Sequence, residues 1–96
     1  MEELEMQVAY IEKLIEGNDL EELAVYLNEL NISDVEALID ELPEHGSLFL
    51  EELNLNRAVN VFRILDFPTQ ERIFKKLSAN KIREILNELP PDDRTS

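Results

Sequence analysis

The sequence predicts an all-α chain, a solenoid-like array of short amphipathic helices with a period of about 12 residues, and three observations predict it. Leu30, Leu42, Leu53, Leu65, Leu77 and Leu89 recur at spacings of 12, 11, 12, 12 and 12. An apolar pair stands four and three residues before each: Tyr26-Leu27, Leu38-Ile39, Phe49-Leu50, Val61-Phe62, Ile73-Phe74 and Ile85-Leu86. A residue that caps, turns or breaks follows each one: Asn31, Pro43, Asn54, Asp66, Ser78 and Pro90. Residues seven, four and three places before a leucine share its helical face, so each beat is a helix of about two to three turns.

The elements follow in order. A longer opening helix runs from about Glu2 to Glu16, and Gly17 suits the left-handed residue that closes it. Its acidic edge, Glu2, Glu3, Glu5 and Glu12, suits the solvent-facing end unit that such arrays carry. The next helix ends at Leu30. Val35, Leu38, Ile39 and Leu42 then show a complete apolar face, with Ser33 as its N-cap. The beat over residues 44–53 is the weakest, because His45-Gly46 shortens it and Gly46 delays its start. After the helix of Ala58 to Leu65, Pro68 fits the first position of another. Ser78 caps the last, whose face is Ile82, Ile85, Leu86 and Leu89.

Breaks near residues 17–18, 31–32, 43–47, 54–56, 66–68, 78 and 90–91 give about seven helices. The beat leucines and their apolar pairs are predicted to be buried, with Phe49, Phe62, Phe67 and Phe74 in or beside the core. Helices this short are marginal alone, because nucleation is costly, so each is expected to bury its face against the next. Residues 1–96 read as one domain. The closing Pro90-Pro91-Asp92-Asp93 stops one helix and announces another, as expected of a piece cut before its last repeat.

Composition narrows the function. There is no cysteine, which excludes disulfides and thiolate chemistry. Apolar runs such as Ala24-Val25-Tyr26-Leu27 fall far short of the roughly 18 residues of a membrane span, so no direct membrane insertion is expected of this segment. A net charge of −13 opposes nucleic-acid partners. The charge is unevenly divided: residues 1–53 hold sixteen acidic residues and one base, Lys13, while residues 54–96 hold six acidic and eight basic. Such a half reads first as a solvated face, and second as a surface that meets cations.

Catalytic patterns are absent. The single histidine, His45, reads as a surface turn residue, no carboxylate spacing marks an acid/base pair, and two glycines make no phosphate loop. The chain is read as no enzyme. One feature has a route to ion chemistry. Asp92 and Asp93 stand at a helix start, where they serve either as caps or as ligands of a hard cation that needs one or two carboxylates plus its own waters.

Val35 to Pro43, Ala58 to Leu65 and above all Ile82 to Asp93 resemble the cytosolic N-terminal domain of MgtE-type magnesium transporters, nearly throughout the chain and most strongly from about residue 33. The resemblance implies a right-handed superhelix followed by CBS domains and a membrane pore. It implies a regulatory magnesium sensor on the cytoplasmic side of the membrane. Mg2+ would bridge this domain to the CBS domains of the same parent chain, a homodimer, and help to close the pore. It also implies Asp92 as an interdomain Mg2+ ligand, with Asp93 beside it. The family commonly has a further acid where this chain has Ser96, and another where it has Asn60. The alternative reading is a protein-interaction module: a fragment of the flagellar rotor switch protein, which has similar Leu-Pro-Pro turns, or an acidic adaptor.

Overall fold

The chain was analysed as a computed structural model that describes residues 2–89. Among these residues seven α-helices and one 3-10 turn follow each other, with no strand. They are α1 (Glu2–Glu16), α2 (Leu20–Glu29), α3 (Ile32–Glu41), the 3-10 turn (Pro43–His45), α4 (Gly46–Glu52), α5 (Leu55–Ile64), α6 (Phe67–Lys76) and α7 (Ala79–Glu88).

The leucine beat is a joint. Leu30, Leu53, Leu65, Leu77 and Leu89 are each the C-cap of a helix, all with extended backbone. Asn31, Asn54, Asp66 and Ser78 follow as N-caps, again with ψ near 150–163°. Each link is therefore two extended residues, an apolar one that turns into the core and a polar one that opens the next helix. Asp66 and Ser78 complete the motif, accepting hydrogen bonds from the N–H of Thr69 (3.1 Å) and of Lys81 (3.2 Å). The spacing of 11 falls where Pro43 follows Leu42: a 3-10 turn replaces the extended link, and α4 keeps only 7 residues.

Several local expectations are corrected. The N-cap of α3 is Asn31, and Ser33 lies inside the helix, because the cap is the residue directly after the leucine. Pro68 occupies the second helical position, after Phe67. The left-handed residue after α1 is Asn18 (φ 56°), not Gly17. Asn18 N–H donates to the Ile15 carbonyl and Asp19 N–H to that of Leu14, a Schellman closure shifted by one residue. Gly46 does not delay α4 but begins it, with helical angles. A Cβ there would lie 3.2 Å from Cδ1 and Cγ1 of Ile73 and 3.4 Å from Cγ2 of Ile39, so glycine lets α3 and α6 close over α4.

Stacking goes beyond the expectation that each helix buries against the next, although α1 does pack on α2 and α4 on α5. The recurrent neighbour is the next helix but one: α1 with α3, α2 with α4, α3 with α5, α4 with α6 and α5 with α7. Two extended residues turn a corner at each such link, and the following helix meets the one before last. Odd helices thus form one row and even helices another, in a body of 41 × 27 × 22 Å.

One apolar core runs through the rows, from Ile11 to Ile85. Leu42, Leu53, Leu65 and Leu77 are buried, while Leu30 and Leu89 are half-buried. Phe49 and Phe62 are buried, and Phe62 stacks on the half-buried Phe74 at 4.6 Å. Two predicted core residues face outward. Phe67 is 70% exposed, because Thr69 is the residue of that first turn that points inward, and Leu86 is 52% exposed, because Ile85 takes the inward place on α7.

Candidate functional site

Asp92 and Asp93, the candidate metal ligands, lie outside the described residues, as do Pro90, Pro91 and Ser96. What can be built is the support that leads to them. α7 packs on α5, Ile85 is fully buried, and Leu89 closes the helix with extended backbone (φ −70°, ψ 139°).

Two polar clasps fix that support, and both use the same register. Asn54, the N-cap of α5, donates its N–H to Oδ1 of Asn28 on α2 (2.9 Å). Arg57, the third residue of α5, donates from Nη2 to the carbonyls of Leu27 (3.2 Å) and Leu30. The arrangement recurs one pair of helices later. Ser78, the N-cap of α7, donates its N–H to Oε2 of Glu51 on α4 (2.7 Å), and Lys81, third in α7, donates from Nζ to the Leu53 carbonyl (2.9 Å). In each case a base in a first turn satisfies the open carbonyl end of a helix three places earlier, where the helix dipole favours a cation. The sequence held a signal for this, two bases 24 residues apart, Arg57 and Lys81, each three residues after a cap. The Lys81 ammonium is thus committed to the C-terminal end of α4.

The other polar groups are also placed by packing. Asn28 further donates from Nδ2 to the carbonyls of Ala24 (2.8 Å) and Glu52 (3.3 Å), and Gln70 donates from Nε2 to that of Phe62 (2.7 Å). Hydrogen bonds from the Thr69 side chain and backbone hold the Asp66 carboxyl below the usual range. His45 sits half-buried in the 3-10 turn, with Nε2 3.9 Å from Oε2 of Glu44. Tyr10 and Tyr26 meet edge to face at 4.8 Å, and burial, then the charge of Glu22, pushes the Tyr10 phenol up. Asn60 is exposed on α5, beside a shallow groove that Ile32, Arg63 and Ile64 also line.

Among the described residues no three His, Cys, Asp or Glu side chains gather so that they could hold a metal ion. No described helix is long and apolar enough to cross a membrane.

These features define an all-α helical-repeat domain whose internal polar groups join helix to helix. The chain belongs to the MgtE intracellular N domain family, whose model matches residues 44–96, more than half of its length. It is thus the intracellular domain of a magnesium transporter, of a regulatory family and not an enzyme family. The match opens in the 3-10 turn and takes in α4 to α7 and the Pro90–Asp93 segment; the Val35 to Pro43 stretch lies just before it. No curated protein and no solved structure matches the chain.

Proposed function

We propose that this domain senses intracellular magnesium and helps to close the transporter's pore, through Mg2+-bridged contacts with CBS domains of the same parent chain. The observation that carries the proposal is the family match across residues 44–96, which includes Asp92 and Asp93. Asp92, with Asp93 beside it, supplies carboxylate oxygens from this side of the interface, and the CBS domains supply the rest.

The donor set fits a shared site and not a closed one. Magnesium keeps several of its waters and takes one or two carboxylates, so Asp92 and Asp93 suffice as this domain's share of a site. The acidic first half supports the same reading: like-charged surfaces repel until divalent ions cancel the charge, and a ligand that favours the compact arrangement shifts the population toward it. The right-handed superhelical course and the homodimeric parent belong to this proposal.

The test is limited proteolysis of the longer parent chain. Magnesium should slow cleavage between this domain and the CBS domains, and Asp92→Ala should remove most of that protection. Equal protection in the variant would rule out the role given to Asp92.

A further inference from the structure

The opening helix carries a feature that magnesium bridging does not use. α1 runs for 15 residues, against 10 or fewer in every other described helix. Along one flank it opens a groove of about 650 Å³ lined by Leu4, Glu5, Val8, Ala9, Glu12 and Glu41. Leu4 and Val8 are half-buried against the core and leave apolar surface in the groove, and Ala9 is exposed between them and solvent. Glu5 and Glu12 on α1 and Glu41 at the end of α3 are exposed carboxylates on the rim. Lys13, the single base of residues 1–53, lies on the adjoining face of α1 with Glu16.

An apolar floor takes an apolar strip, and three carboxylates around it select cations on the flanks of that strip. A helix with apolar residues at i, i+3 or i+4 and i+7, bordered by Lys or Arg, satisfies both. A second copy of this chain is disfavoured by its own net charge of −13, and nucleic acid and anionic membrane are repelled by the same rim. We propose that the groove between α1 and the end of α3 docks a basic amphipathic helix of a partner protein. The floor gives affinity, and the rim gives orientation and a salt-dependent on-rate.

The test uses isotope-labelled chain and a synthetic leucine–lysine peptide of about 14 residues, amphipathic at helical period, beside a scrambled peptide of the same composition. Amide shifts should concentrate over residues 4–12 and around Glu41. The scrambled peptide should bind about tenfold more weakly, and so should Ala9→Arg and the Glu12→Lys/Glu41→Lys pair. All three positions are exposed, so melting temperatures should stay in place. Two outcomes would overturn the proposal. One is equal binding of both peptides with shifts spread over residues 1–53, which is diffuse attraction. The other is a dimer in sedimentation that Ala9→Arg dissolves, which makes the groove an interface between copies.

Discussion

Leu65 is a beat leucine and Leu86 the second residue of an apolar pair, and the two differ in burial: one is 6% exposed and the other 52%. Leu65→Ala should cost about 2–5 kcal/mol, the cost of a buried leucine and the cavity it leaves. Leu86→Ala should cost less than about 1 kcal/mol, because little apolar surface is newly lost to water. Urea midpoints of the two variants give the ranking; equal losses would contradict the packing of α7. Asp66 gives a prediction in pH. Its folded pKa is depressed by Thr69, so its contribution is present above the ordinary carboxylate value of about 4 and is lost as pH falls through the lower folded value. Asp66→Asn should therefore flatten part of the acid limb of stability below about pH 4, and an unchanged limb would remove the cap from the account.

At the scale of elements, Gly46 lets side chains of α3 and α6 approach the start of α4. Gly46→Ala should destabilise by about 1–3 kcal/mol despite the better helix former, because Ile73 is fully packed and its Cγ1 cannot swing clear. Ile73→Val removes Cδ1, so the double variant should cost less than the two single costs added. Strict additivity in thermal melts would mean that the two residues do not compete for that space. Much at this scale was legible in the sequence. The leucine beat placed the helices from α2 onward and the breaks between them within a few residues, because a joint of one apolar and one polar residue leaves the same trace each time it is used. Neighbour choice was not legible: helices of equal period look alike whether they stack on the next or on the next but one, and only the corner geometry of the link decides. The glycine of residue 46 was read as a breaker because composition shows its freedom and not the Ile73 methyl that excludes a side chain. The clasps of Arg57 and Lys81 escaped notice because their partners are backbone carbonyls, which carry no mark in a sequence.

At the scale of the whole molecule, family and acidic half point the same way, while the described residues hold no ready-made metal cage. Asp92 and Asp93 are singled out by the proline pair before them and by the family resemblance, and they lie outside the described residues. The remaining ligands of the proposed interface were not legible, since the proposal puts them on another domain. The central claim is that magnesium belongs to that interface. The most direct measurement is an amide-resolved magnesium titration of residues 1–96 alone, and then of the same residues joined to the CBS domains. Alone, the shifts should be small, unsaturated and spread over the acidic half; joined, they should saturate and centre on Asp92 and Asp93, and Asp92→Ala should abolish the saturating component. Tight, discrete binding by residues 1–96 alone, or a saturating response that survives Asp92→Ala, would contradict the claim.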